Sequence, residues 1–454
     1  MLPKLSRLLP RRGFAHGIHP PESKADTAAQ PIRQFPFAPL MIVPLLQHAG
    51  KAALPVVRAG QEVLRGELLA EPDGPLSVAM HAPASGRIEG IELAPSISGR
   101  MQPAIYLKPH PGSTQEAIEG PPCDVDTASP EQILRAIQWA GIVGLGGAAF
   151  PTWRKLEFAR QSKVDTVVMN GAECEPYLTS DYRMMLAHPA EIIEGSVALA
   201  RIVGASRVLV GVESDKPDAV RVLEREIARR PAEGPAVKVV PCLARYPQGA
   251  ERQLVYATTG RSVPLRQLPT AVGVLVQNVA TAHAVHDALR YRRPLLDRVL
   301  TVTGPGIRAP RNVRAPLGAS LADVVAFCGG LNDDTTRMVA GGPMMGRSLP
   351  RLDVPLIKGM NGLVLLTGKG PLEDGFAACI RCGRCLDACP LGLEPDQVSI
   401  RVEAGRPLDT EPHGPLDCYE CGCCSYVCPS GRPLVQFMQV AKGALRRAAE
   451  TRAS

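Results

Sequence analysis

The run CIRCGRCLDACP, Cys379 to Pro390, is echoed by CYECGCCSYVCP, Cys418 to Pro429. Each places four cysteines at C-x2-C-x2-C-x3-C followed by proline, the spacing that holds a pair of [4Fe-4S] clusters. In such pairs the fourth cysteine of one run ligates the cluster of the other. Cys379, Cys382, Cys385 and Cys428 are therefore assigned to one cluster, and Cys418, Cys421, Cys424 and Cys389 to the second. Iron-sulfur clusters call for soft thiolate ligands, and a tight loop wraps three sulfurs round one face. Gly383 and Gly422 suit that loop. Structural zinc also takes four cysteines, but it is read from two separated C-x2-C pairs, which fits these runs less well. Cys423 falls outside the spacing, and with Cys123, Cys174, Cys242 and Cys328 it reads as a small packed hydrophobe.

Beyond these runs, 454 residues exceed one ordinary core, so several domains are expected. Thirteen cysteines, mostly in ligand positions, argue against a secreted disulfide framework and for a reducing compartment. No apolar run approaches the roughly 18 residues of a membrane span. The N-terminus carries Lys4, Arg7, Arg11 and Arg12 among scattered leucines, without the apolar centre of a signal peptide. A net charge of +7 is spread along the chain, and aromatics make up only 4%, which disfavours a nucleic-acid surface. Such a charge suits acidic protein partners or an anionic membrane surface, or is simply a solvated surface.

The chain reads as a multidomain α/β protein. Residues 1–35 form an arm in which Pro20, Pro21 and Pro31 discourage regular structure. Residues 36–110 read as short strands with turns at Gly60, Gly66, Gly86 and Gly90, resembling the hammerhead or barrel-sandwich fold of biotinyl and lipoyl domains. Those domains carry a cofactor on a hairpin lysine, whereas EPDGPLSVAM (71–80) has none, so the module reads as structural. From Ser129 the pattern alternates helix and strand. SPEQILRAIQWAG is a helix with Ser129 as cap, Pro130 in the first turn and Gln132 closing a capping box. VDTVVMN and RVLVGVES are strands joined by the helix AEIIEGSVALARIVG, which predicts a mainly parallel sheet within 129–292. Residues 297–350 run from the strand DRVLTVTG through the loop GPGIRAPRNVRAP and the helix SLADVVAFCGG to MVAGGPMMG, resembling a β-grasp, SLBB-like module. Residues 370–446 form a helical, ferredoxin-like domain for two [4Fe-4S] clusters, closed by a helix after Pro433 whose Leu434, Met438, Ala441 and Leu445 follow helical spacing.

Two further segments bear on chemistry. GIVGLGGAAFPTWRK, Gly141 to Lys155, is a glycine-rich loop, and glycines let backbone N–H groups approach a phosphate closely. It matches neither the Walker A nor the G-x-G-x-x-G pattern. VVMNGAECEPYLTSDYR places Asn170, Glu173 and Glu175 directly after a strand, where ligands bind in open α/β sheets. In isolation the glycine-rich loop is a weak signal, and the second segment reads more readily as a polar loop with its glutamates in solvent.

Together GLGGAAFPTWRK, NGAECEP and VQNVATAHAV (276–285) resemble three motifs, in the same order, of the flavin subunit of respiratory complex I, which binds FMN and NADH. With GIHPPESK, the hammerhead module and the double cysteine run, the whole chain resembles the C subunits of Rnf (Rsx) ion-translocating electron transport complexes. That resemblance implies non-covalent FMN contacts from Gly146, Gly147, Lys155, Asn170, Glu173, Asn278 and Thr281, and an NADH side lined by Gly144, Phe150 and Glu175. Ala149 and Ala172 stand where the complex I motif has glycine and aspartate. No side chain is needed as general acid or base, because the cofactors carry the redox chemistry. The resemblance further implies an electron-input subunit of a membrane-bound NADH:ferredoxin oxidoreductase, peripheral on the cytoplasmic face of the inner membrane, with the other members of the complex and ferredoxin as partners. A soluble NADH diaphorase subunit and a non-enzymatic iron-sulfur adaptor with an empty flavin fold remain open on the residues.

Overall fold

The computed structural model describes residues 13–453 apart from 113–115, 232, 371–372 and 374. Lys4, Arg7, Arg11 and Arg12 lie outside the described residues.

The α/β region is built on a four-stranded parallel sheet in the order Ala236–Cys242, Arg207–Glu213, Thr166–Gly171, Val274–Asn278. Helices cover it, so Thr166–Gly171 and Val274–Asn278 are buried along almost their whole length, which is why VVM and VLV read as apolar runs and not as alternation. The helix Pro130–Trp139 starts as its sequence predicts: the Ser129 side chain accepts from the Gln132 N–H, and the Gln132 side-chain oxygen accepts in return from the Ser129 N–H. The helix Pro189–Val203 ends on Gly204, in the left-handed region at φ 72°, as a glycine stop permits. All four strands run the same way, so Asn170, Glu213 and Asn278 emerge at one edge of the sheet.

The barrel-sandwich module consists of a four-stranded antiparallel sheet, Met41–Pro44, Met101–Pro109, Gly86–Pro95 and Glu62–Val63, and a three-stranded one, Leu54–Pro55, Leu68–Glu71 and Met80–His81. Met41, Leu69, Met80, Ile88, Ile105 and Leu107 belong to its buried core.

The β-grasp region departs from its sequence reading in three ways. The stretch read as a loop contains the strand Arg311–Pro316, antiparallel to Asp297–Thr303. The sheet also continues past residue 350 to Gly362–Thr367, parallel to Asp297–Thr303. Its far edge is supplied by Ile32–Gln34 of the N-terminal arm, which pairs in parallel with Arg311–Pro316. The arm is therefore docked, because Phe35 and Ala38 immediately after it are buried in the β-grasp core. Pro31 does not prevent this, since the residue before an edge strand needs no ladder N–H. A short helix, Ala25–Ala28, precedes the strand, and Gly17 and His16 bond backbone carbonyls of Ala388 and Asp387 in the cluster domain.

The cluster domain is helical: Arg384–Ala388, Pro395–Glu403, Cys423–Tyr426 and the closing helix Leu434–Ala453. Leu434, Met438 and Ala441 of that helix are buried and Leu445 is half-buried, as the helical spacing predicts. Among the described residues no helix is long and apolar enough to cross a membrane.

Candidate flavin cleft and cluster centres

The glycine-rich loop joins Pro130–Trp139 to the helix Thr152–Gln161 and is held from three sides. The Leu145 N–H donates to Thr281 Oγ1 at 2.9 Å, and Arg298 of the β-grasp sheet donates to the Leu145 carbonyl. The Ala149 carbonyl accepts from the Ala49 N–H of the barrel-sandwich module at 3.0 Å. Gly147 lies at φ 111°, a conformation that favours glycine.

This loop walls a cleft of about 550 Å³ at the carboxyl edge of the parallel sheet. Gly144, Gly146, Phe150 and Lys155 line one side; Asn170, Glu173, Glu175 and Asn278 line the strand side. Two of the expected flavin contacts do not reach it. Thr281 is fully buried and acts as a prop for Leu145, and Gly147 is exposed but outside the cleft lining, to which the loop contributes Gly146 and Ala148. The departures at Ala149 and Ala172 also lie off the cleft. A Cβ on Gly359 would meet the Ala149 methyl at 3.0 Å, which places that methyl at a domain junction, and Ala172 belongs to a buried apolar cluster. A larger cavity of about 950 Å³ opens on the other side of Leu145 and Arg298, and none of the expected site residues reaches it.

Several side chains of the cleft are already oriented. Asn278 caps the helix Val279–Arg290, accepting from Ala280 and Thr281 N–H, and donates to Asp181 Oδ2 at 2.6 Å. The Asn170 amide donates to the Gly249 carbonyl at 2.8 Å. The Glu173 carboxylate accepts from Ser180 Oγ and from the Asp181 and Tyr182 N–H groups, so it caps the helix Ser180–Ala187. Lys155 pairs with Glu251 at 2.6 Å. Glu175 accepts from the Met344 and Met345 N–H groups at 3.1 and 2.8 Å, clamping a β-grasp loop over the cleft. Burial lifts the Glu175 carboxyl to about 7 against those two bonds.

Asp181 carries no site signal of its own in the sequence. Burial, then the charge of Glu173, lifts it to about 7, with Arg298 opposing. The stretch Thr179-Ser180-Asp181 reads as a helix start, but nothing in it tells that Asp181 folds into the cleft. Its Oδ1 and the Gln277 Nε2 lie buried at the cleft wall with no partner among the described residues. Unpaired acceptor and donor atoms beside glycine N–H groups and a lysine fit a polar heterocycle carrying a phosphate.

The eight motif cysteines separate into two groups. Cys379, Cys382, Cys385 and Cys428 line one cavity. Cys389, Cys418, Cys421 and Cys424 lie close enough to influence one another's thiol ionisation, with Cys418 pushed up to about 11 and burial as the largest cause; Cys423, outside the motif spacing, lies against the same group through Cys421. The fourth cysteine of each run has therefore crossed to the other run. Gly383 and Gly422 take φ 76° and 84°. Arg381 and Glu420, at equivalent places, also have positive φ and turn their N–H groups to Cys379 and Cys418 sulfur at 3.4 and 3.3 Å. No three His, Cys, Asp or Glu side chains among the described residues converge on a single ion. Thiolates of a cuboidal cluster each bind a different iron and surround a void, so the fit to clusters rests on the two groups of four. Of the remaining cysteines, Cys242, Cys328 and Cys423 are buried, while Cys174 reaches the cleft and its sulfur accepts from the Gly249 N–H at 3.2 Å.

Cleft and clusters adjoin. Tyr246 and Tyr419 both line the cleft, and the Tyr246 hydroxyl donates to the Cys421 carbonyl at 2.6 Å.

Family models match the chain in the same order: an RnfC barrel sandwich hybrid domain over 12–111, a Nuo51 FMN-binding domain over 137–287, an SLBB domain over 299–348 and a 4Fe-4S dicluster domain over 378–432. Fold and site thus define an electron-transfer protein of the FMN and iron-sulfur class. The C subunit of the ion-translocating oxidoreductase complex of Rhodobacter capsulatus is 41% identical over 98% of this chain and 86% of its own length. The C subunit of the proton-translocating ferredoxin:NAD(+) oxidoreductase complex of Clostridium ljungdahlii is 39% identical over 97% and 95%. The chain belongs to this family, the C subunits of Rnf-type ion-translocating oxidoreductase complexes. An NAD+-reducing [NiFe]-hydrogenase crystal structure, in the H2-reduced state, covers 72% of this chain and 65% of its own at a TM-score of 0.50 and 20% identity, which shows shared fold.

Proposed function

We propose that this chain is the electron-input subunit of a membrane-associated, ion-translocating NADH:ferredoxin oxidoreductase complex. Near-full-length relatives named for that activity favour it over a soluble diaphorase or a flavin-free adaptor. The observation that carries the route is the junction itself: Tyr246 and Tyr419 belong at once to the wall of the flavin cleft and to the surroundings of Cys421. When bound, FMN accepts a hydride from NADH and gives up electrons singly, and the clusters carry one electron each.

The chain's own residues position and isolate these groups. Gly146, Lys155, Asn170, Glu173 and Asn278 hold FMN, with Gly147 and Thr281 acting through the shape of the loop. Gly144, Phe150 and Glu175 form the NADH side, where Phe150, exposed by 38%, offers a ring face for stacking. Burial raises the Glu175 and Asp181 carboxyls to about 7, so the cleft wall carries less negative charge toward an anionic ligand than two ordinary carboxylates would. The Cys389, Cys418, Cys421 and Cys424 group stands next to the cleft. The Cys379, Cys382, Cys385 and Cys428 group comes after it, at the surface, with Cys382 exposed. Electrons leave the chain there, toward the partner proteins of the complex and ultimately ferredoxin. Docking is peripheral, on the cytoplasmic face of the inner membrane.

Anaerobic purification, quantification of FMN and iron, and then addition of NADH test this reading. Flavin bleaching followed by cluster reduction is expected. Bleaching without cluster reduction breaks the route, and no bleaching removes NADH as the donor.

A further inference from the structure

Lys358 is 1% exposed, one of the most deeply buried side chains in the protein. Its Nζ donates to the carbonyl of Ala79 in the barrel-sandwich module and to that of Gly141 at the start of the glycine-rich loop, both at 2.8 Å. Its backbone N–H donates to Gln47 Oε1 at 3.2 Å. Three parts of the chain therefore meet on one residue.

No carboxylate among the described residues pairs with it, and burial pulls its ionisation down to about 7. The titratable groups that face it are His48 and His81, lowered to about 4 and about 3 by burial and then by the lysine's charge. An ammonium taken out of water costs several kcal/mol unless dipoles or an opposite charge compensate. Part of that compensation is local, because Gly141 follows the helix Pro130–Trp139, whose carbonyl end favours a cation.

The geometry binds Lys358 to the loop at both ends. Gly141 has φ +71°, and a Cβ there would meet the lysine Nζ and the Ala79 carbonyl oxygen at 2.5 Å, so a glycine is needed to admit the ammonium. At the other end, a Cβ on Gly359 would lie 3.0 Å from the Ala149 methyl and 3.4 Å from the Gly147 carbonyl oxygen. Asn361, a little further along the chain, reaches the flavin cleft.

We propose that Lys358 is a positioning residue for the flavin: its ammonium fixes the glycine-rich loop from behind and supplies a buried positive charge toward an anionic ligand held on that loop. This rests on the reading of the cleft as an FMN site. The loop N–H groups keep their direction because the ammonium pins the Gly141 carbonyl. Seating of the barrel-sandwich module, through Ala79 and Gln47, is thereby linked to flavin retention.

The test is FMN binding to the cluster-loaded, flavin-depleted full chain, followed by quenching of flavin fluorescence from about pH 6 to about pH 9. Wild type, Lys358→Met and Lys358→Arg are compared, with iron content and circular dichroism as folding controls. Lys358→Met is expected to bind FMN about tenfold more weakly at the acid end and to lose part of the wild-type pH dependence. Lys358→Arg, which stays charged, is expected to retain affinity at the alkaline end where wild type weakens. If the Met variant fails to fold, the Arg variant against wild type at alkaline pH decides. Equal affinity in wild type and Met variant, or weaker binding with an unchanged pH profile, overturns the proposal. Failure of wild type itself to bind FMN overturns the reading of the cleft instead.

Discussion

The two cysteine runs share one spacing and have opposite surroundings. The group containing Cys421 sits against the flavin cleft, packed by Tyr246, Tyr419 and Met344 and braced by Lys442, which donates to the Cys418 carbonyl at 2.6 Å. The group containing Cys382 faces outward, flanked by Ile380, 66% exposed, and by Arg381 and Arg384. Equivalent ligand loops have thus been given different jobs by what packs on them. On the proposed route the desolvated group next to the cleft is the one that receives electrons, and the apolar and cationic rim of the other suits transfer to an acidic partner.

Removing one ligand from each group breaks the comparison most sharply. Cys421→Ala is expected to lower iron by about half and to leave NADH bleaching of the flavin intact while abolishing reduction of the outer cluster, read by electron paramagnetic resonance. Cys382→Ala is expected to do the reverse, leaving the inner cluster reducible and delivery to an external acceptor lost. Identical behaviour of the two variants would remove the order of the route.

Glu175→Gln probes the clamp between the cleft and the β-grasp loop at Met344, whose carbonyl oxygen would lie 3.1 Å from a Cβ on Gly422 in the inner group's loop. The folded-state carboxyl is raised from 4.5 to about 7. Its contribution to stability is thus fully present below the unfolded value and is lost as pH rises through 7. Wild type is therefore expected to lose stability relative to the variant between those values, measured by denaturant unfolding. A pH-independent difference would contradict the assignment.

Tyr246→Phe removes the bond to the Cys421 carbonyl and is expected to cost about 1 kcal/mol, with a shift in the potential of the inner cluster and none in the outer. Equal shifts in both would show that the tyrosine acts on the whole domain. Arg384→Glu is expected to change stability by no more than about 0.5 kcal/mol, yet to slow reduction of an acidic acceptor at low salt and not at high salt. An unchanged salt profile would place the docking surface elsewhere.

The cysteine spacing is legible because ligation is a local matter: three sulfurs and a glycine on one short loop suffice. The crossing of Cys389 and Cys428 is legible for the same reason, given the repeat. The β-strand Arg311–Pro316 is not, since GPGIRAPRNVRAP carries the glycine, proline and arginine of a loop, and only its pairing with Asp297–Thr303 makes it a strand. Thr281 and Gly147 illustrate a finer limit. Both stand in motifs that mark the cleft, but Thr281 is turned inward to hold the Leu145 N–H, and Gly147 stands exposed outside the cleft lining. Asp181, Arg298 and Lys358 carry no signal, because burial by segments distant in sequence is what gives them their character.

Residue type at short spacing was enough to mark the candidate ligands, the order of domains and the glycine-rich loop. Which cysteine group adjoins the cleft, where the N-terminal arm pairs, and which buried charges lie beside the cleft were settled by the folded chain alone. Those features depend on desolvation and on contacts between parts of the chain far apart in sequence, and no local pattern encodes the neighbours that a folded surface will bring.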